Sequence, residues 1–211
     1  MNSITEHFLN APMGVFTHSD VAVAFQGSDD SRHGKVKRAL ASNEIQVVRR
    51  GLYCLARPYR RHPINVYALA QRVYGPSYVS MESALSYHGW IPEAVRVCTN
   101  VCLGNPKEFR TPFGVFSFER VPQRVFYAGV ERLDDGDHGV AFMATPAKAL
   151  ADYYYVRHPS WTTIRDAAGS LRIEPEDLSQ VSAADIDELA ANYRNRRVLA
   201  FLADWKAALQ P

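Results

Sequence analysis

The sequence predicts an α+β chain with a winged helix-turn-helix unit over residues 1–63. A mixed unit over residues 64–211 follows, with a small antiparallel sheet and a helical tail from about residue 160. Three observations predict this. The N-terminal stretch alternates helix starts with turn residues and ends in a strand–turn–strand pattern around Arg49-Arg50-Gly51. Short apolar segments between Val95 and Ala144 are separated by Gly, Pro, Asn and Asp turns. From Trp161 onward the spacing of apolar residues is helical.

Taken in order, Ile4–Asn10 is a short helix with Ile4, Phe8 and Leu9 apolar, ended by Pro12 and Gly14. Val15-Phe16 is extended. Thr17 and Asp20 have the spacing of a capping box, starting a helix that runs to about Phe25 with Val21, Ala24 and Phe25 inward. After the Gln26-Gly27 turn, Ser28 is an N-cap, and Asp29 and Asp30 suit the positive end of a helix over Asp29–Ser42. At about 100° per residue, Val36, Ala39, Leu40 and Asn43 share one side of it. Ser31, Gly34, Lys35, Arg38 and Ser42 share the other. Ile45 and Val47, then Leu52, Tyr53 and Leu55, are strand formers on either side of the arginine pair.

Asn65–Tyr74 follows as a helix with Val66, Leu69, Ala70 and Val73 inward, broken by Gly75-Pro76. Ser80 caps a helix that Gly89 closes. Strands are expected at Val95–Leu103, Phe113–Phe118, Arg124–Tyr127 and Val140–Ala144. Thr145-Pro146 starts a helix with Ala149, Leu150 and Tyr153 inward, on which Lys148 and Asp152 form an i,i+4 ion pair worth only a few tenths of a kcal/mol. The tail holds helices at Thr162–Ala168, Glu174–Gln180, Ala183–Tyr193 and Asn195–Leu209. Val198, Phe201, Leu202, Trp205 and Leu209 form an apolar stripe on the last. Its expected use is core, with docking on a partner as the alternative.

A hydrophobic fraction of 47% and a charged fraction of 22% exclude a disordered chain. No apolar run reaches the roughly 18–20 residues of a membrane span. The start of the chain lacks the basic and apolar blocks of a signal peptide, so the expected compartment is the cytoplasm. Cys54, Cys98 and Cys102 are read as reduced, buried thiols. The net charge of +2 hides an asymmetry. Residues 1–63 hold nine Lys/Arg against five Asp/Glu, and Asp29–Arg61 hold nine against three. A local basic cluster on a near-neutral chain suits a nucleic-acid surface, although a solvated basic face gives the same count.

Within that cluster, Lys35 and Arg38 can reach guanine edges or phosphates while Ser31 and Gly34 let the backbone approach a major groove. Arg32 and His33 flank them. Arg49 and Arg50 at the hairpin suit phosphates or a minor groove, and Arg57, Arg60 and Arg61 extend the phosphate contacts. The expected DNA-binding set is therefore Ser31, Arg32, His33, Lys35, Arg38, Arg49 and Arg50. The catalytic motifs of hydrolases, P-loop and dinucleotide-binding enzymes and zinc proteases are not found, so no enzyme, cofactor or metal is expected. The acidic run Asp134–Gly139 reads as a hairpin turn rather than a calcium loop. His88 reads as satisfying carbonyls at a helix end rather than as a base.

The pieces RRGLY, SYVSMESALSYHGWIP, the strand around Val97-Cys98-Thr99, FGVFSFERV and ATPAKALADYYY occur in that order. From Phe16 to Val156 the chain resembles the AbiEi-family antitoxins of type IV toxin–antitoxin and abortive-infection systems. SALSYHGWIP and TPAKALADYY are the most specific pieces. The resemblance implies an N-terminal winged helix that represses its own operon on inverted repeats in double-stranded DNA. It also implies a following antitoxin region and a cognate nucleotidyltransferase toxin encoded next door. The segment Gly27–Asp30 departs from the pattern, and the chain after His158 lies outside it. A stand-alone regulator, an interaction-only antitoxin and a nucleic-acid-processing enzyme remain as alternatives.

Overall fold

The computed structural model describes residues 3–209; the outermost residues of both predicted units lie outside that range. The N-terminal part comprises α1 (Ile4–Phe8), β1 (Val15–Thr17), α2 (His18–Ala24), α3 (Asp29–Ala41), β2 (Ile45–Arg49) and β3 (Leu52–Leu55). Each helix start has its local cause. At α2 the Thr17 hydroxyl accepts from the Asp20 amide, and Asp20 accepts from the Thr17 amide at 2.7 Å. At α3 the Ser28 hydroxyl accepts from the Ser31 amide. The end of α3 is a Schellman motif: Asn43 turns left-handed at φ 55°, its amide donates to Leu40 and the Glu44 amide donates to Ala39. Asn43 is therefore exposed in the turn rather than inward as the helical projection has it. Asparagine tolerates this backbone better than most side chains.

The three strands form an antiparallel sheet in the order β1-β3-β2. Strand alternation gives its two faces different company. Phe16, Ile45 and Leu55 join Ile4, Phe8, Val21, Phe25, Val36 and Ala39 in one core. Val15, Val48, Leu52 and Cys54 point the other way, into the large core that begins with Ala68, Leu69 and Val73.

The rest of the chain is α4 (Val66–Val73), β4 (Ser77–Val79), α5 (Met81–Tyr87), β5 (Val97–Cys102), β6 (Lys107–Thr111), β7 (Gly114–Glu119), β8 (Val130–Asp134), β9 (Val140–Ala144), α6 (Pro146–Arg157), α7 (Ile164–Leu171), α8 (Pro175–Ser179), α9 (Ala183–Asn192) and α10 (Arg196–Ala208). Its sheet has six strands in the order β6-β7-β5-β4-β9-β8. This sheet is mixed, not antiparallel as expected, because β4 pairs with β9, and β5 with β7, in parallel. Alternation specifies which side chains face a core but says nothing about strand direction.

Two segments change assignment. Arg124–Tyr127 is a turn, not a strand; its rings pack instead, Phe126 5.0 Å from Tyr78 and Tyr127 5.2 Å from Phe142. Lys107–Thr111 is an edge strand that the sequence conceals, because Lys107, Glu108 and Arg110 are exposed charges of the kind that blunt a sheet edge. All three cysteines are free, with Cys98 only partly buried.

Helix α6 is enclosed on nearly every side, and the Lys148–Asp152 pair is wholly buried, at 2.5 Å, not a surface pair. Asp152 also accepts from Tyr193 at 2.6 Å, Ser80 at 2.8 Å and Tyr78 at 3.0 Å. Lys148 donates to Tyr193 at 2.7 Å. Ser80 thus spends its hydroxyl on Asp152, and no side chain caps α5. Burial holds the Lys148 ammonium below the usual lysine range, against the opposing pull of Asp152. Gln123 continues the network from Tyr78 to Asn192, at the last turn of α9. The stripe on α10 is core: Val198, Phe201, Leu202 and Trp205 are at most 1% exposed.

Removing one partner of a buried, hydrogen-bonded pair strands the other charge. Lys148→Met is therefore expected to lower the unfolding free energy by about 3–5 kcal/mol in urea titrations. A loss below about 1 kcal/mol would show that the network is not a structural centre.

Candidate nucleic-acid interface

The register of the three-stranded sheet decides what sits beside α3. Thr17 pairs with Leu52, so the Arg50-Gly51 turn lies next to the start of α2. The His18 amide donates to the Gly51 carbonyl at 3.0 Å. The His18 ring stands 4.5 Å from that of His33, on the first half of α3. One end of this unit therefore gathers the hairpin turn, the start of α2 and the N-terminal half of α3. Gly51 has φ 77°, which glycine supplies without strain.

Val36 and Ala39 anchor α3 to the smaller core, with Leu40 packed beside them. Ser31, His33, Lys37, Arg38 and Ser42 are exposed. Lys35 is half-buried, its ammonium 5.0 Å from the centre of the Phe25 ring, close enough for a cation–π contact. Lys37 belongs to this exposed set although the sequence reading passed over it. It lies between the two helix sides drawn from periodicity, away from the buried Val36 and Ala39.

Two cations of the predicted set, Arg32 and Arg49, are engaged by the protein itself. Arg32 is largely turned inward: Nε donates to the Phe25 carbonyl at 3.0 Å and Nη1 to Asp29 at 2.6 Å, bracing the turn between α2 and α3. His33 Nδ1 lies 2.8 Å from the Asp29 carbonyl. Arg49 is held at the junction rather than left free, its Nε donating to the Val73 carbonyl at the end of α4 and its Nη1 to the Arg50 carbonyl. A bulge between Val47 and Arg49 reorients that strand end. Arg50 stays exposed at the turn. Arg57, Arg60 and Arg61 leave the sheet beyond the Ile45–Leu55 pair, at the end opposite Arg50. At about 100° per residue Ser31, Lys35 and Arg38 share one side of α3, while His33 and Lys37 lie on another, with His33 turned toward His18 beside the exposed Arg50 turn.

Elsewhere, His88 Nε2 lies 2.9 Å from the Ala144 carbonyl, tying the end of α5 to β9 rather than to its own helix. Asp134–Gly139 is the β8–β9 hairpin turn, with Asp134 accepting from the Gly136 amide and from Arg132. No protein-family model matches the chain, and no curated protein matches it.

Arg49 and Arg50 are expected to separate in stability. Arg49→Ala removes a charged donor from the Val73 carbonyl and costs about 1–2 kcal/mol in urea titrations. Arg50→Ala stays within about 0.5 kcal/mol of the parent. Equal effects would place Arg49 in solvent.

Proposed function

We propose that residues 3–56 form a winged helix-turn-helix that binds the DNA upstream of the protein's own gene, with α3 as the recognition helix and the β2–β3 hairpin as the wing. The observation that carries this reading is the exposed cationic and hydroxyl side of α3 beside the Arg50 turn. A helix of this kind can offer bidentate or phosphate-directed cations to a major groove while the turn reaches adjacent backbone. Arg38 and Lys37 are the reading and phosphate contacts, Ser31 and Lys35 the close neighbours, and Arg50 the wing contact. Arg32 and Arg49 hold the geometry.

The second half of the proposal is that the chain is the antitoxin of a type IV system, a transcriptional autorepressor that also counteracts a nucleotidyltransferase toxin encoded beside it. Support for this half comes from the ordered SALSYHGWIP and TPAKALADYY pieces. Both contribute to the large core: Leu85, Trp90 and Ile91 from the first, and Ala147, Ala149, Leu150, Ala151 and Tyr154 from the second. The exposed acids of α8 and α9, among them Glu176, Asp185, Asp187 and Glu188, complement the cationic surface expected of a nucleotide-transferring partner. A regulator without antitoxin activity is the second reading, since the α3 face asks for DNA and not for a toxin.

Fluorescence anisotropy with the upstream duplex at two salt concentrations tests the DNA half. Arg38→Ala should cost about 1–3 kcal/mol and relax sequence preference. Arg50→Ala should weaken binding evenly across sequences and lower the salt slope by about one. Unchanged affinity in both variants contradicts the interface. Co-expression with the neighbouring nucleotidyltransferase tests the other half: growth rescue is expected, and persistent toxicity leaves the regulator reading.

A further inference from the structure

A second cationic site lies where the chain leaves the three-stranded sheet. Between β3 and α4 the chain passes through Arg57, Arg60, Arg61 and His62. With Ile64, and with Phe113 from the β6–β7 turn, these side chains line a recess of about 400 Å³. Three arginines and a histidine thus border one concavity. Among the described residues, His62 alone of the four has a carboxylate within ion-pair distance, Asp137 at 3.5 Å.

Arg60 is fixed from two sides. Its stem lies against Gly14, where an added Cβ would come within 3.3 Å of Arg60 Cγ. Its guanidinium carbon stands 5.3 Å from the centre of the Phe113 ring. Its Nε is buried with no acceptor among the described residues. Arg57 and Arg61 are exposed at the rim. Like charges repel one another, and the carboxylate beside this cluster is Asp137, paired to His62. The planar forks of guanidinium match phosphate oxygens two at a time.

We propose that this recess binds the diphosphate group of a small phosphorylated molecule. It lies at the Ile45–Leu55 end of the sheet and the Arg50 turn at the other, on the order of 10 Å away by strand rise, and duplex DNA is the other phosphate source, which competition distinguishes. Its volume falls within the roughly 300–1,000 Å³ of small-molecule sites, enough for a diphosphate and part of what carries it. The charge asks for a multiply ionised anion: three guanidiniums exceed what one monoanion neutralises. An occupant would touch both the exit of the three-stranded sheet and the β6–β7 hairpin of the six-stranded one. The site stands on its own residues and does not depend on the DNA reading.

Isothermal titration calorimetry of the full chain with inorganic pyrophosphate tests it. Saturable binding is expected for the parent chain. The double substitution Arg57→Gln/Arg61→Gln, at exposed positions that leave the fold intact, should weaken binding by at least about tenfold. Arg38→Gln, on α3, should leave it unchanged. Absence of saturable binding at millimolar pyrophosphate overturns the proposal, as does undiminished binding by the double variant or an equal loss in Arg38→Gln. Repeating the titration with the upstream duplex present separates the phosphate sources. Unchanged pyrophosphate affinity supports a small-molecule site, and simple competition assigns the recess to nucleic acid instead.

Discussion

The three-stranded sheet gives each of its faces to a different core, and most of the N-terminal geometry follows from that. Phe16, Ile45 and Leu55 hold the helices α1 to α3 on one side; Val15, Val48, Leu52 and Cys54 bind the unit to α4 and the six-stranded sheet on the other. A one-residue slip in register would exchange these sets and bury the wrong side chains on both faces at once. The orientation of α3 is thus tied to the body of the protein through packed strands rather than through a flexible linker. The same junction recruits polar groups. Arg49 reaches the Val73 carbonyl, and Arg72 approaches Asp20, the capping residue of α2, at 3.6 Å. Spending Arg49 at the junction leaves Arg50 as the cation at the hairpin turn.

A second constraint holds the helical tail in place. Lys148 and Asp152 are stripped of water, and the cost of that is offset only because Tyr78, Ser80 and Tyr193 satisfy the remaining valences. These groups come from α6, β4, the start of α5 and the residue that follows α9, so their alignment sets the register of one layer on the next. An apolar core tolerates sliding that a fully bonded polar network does not. The α10 stripe then closes the core through Phe201 and Trp205.

Much of this was legible in the chain. Helix starts at Thr17, Ser28, Asn65 and Thr145 were readable because capping is local chemistry between residues two or three apart. The hairpin around Gly51 was readable for the same reason. Strand direction was not, since β4/β9 and β5/β7 pair across long stretches of chain. The edge strand Lys107–Thr111 escaped because its charges mask any alternation. The exposed side of α3 was legible by periodicity, but the fates of Arg32 and Arg49 depended on the Phe25 and Val73 carbonyls, one turn or a whole element away. Lys148 and Asp152 resembled an ordinary surface pair at i,i+4. Only the tertiary enclosure of α6 turns that spacing into a buried centre.

Amide hydrogen exchange, with and without the upstream duplex, tests the central claim most directly, because it reports where the duplex lies along the whole chain. The account predicts slowed exchange in α3 and around Arg50-Gly51, with α8 and α9 unchanged. Unchanged exchange in α3 while the duplex protects another segment would contradict it.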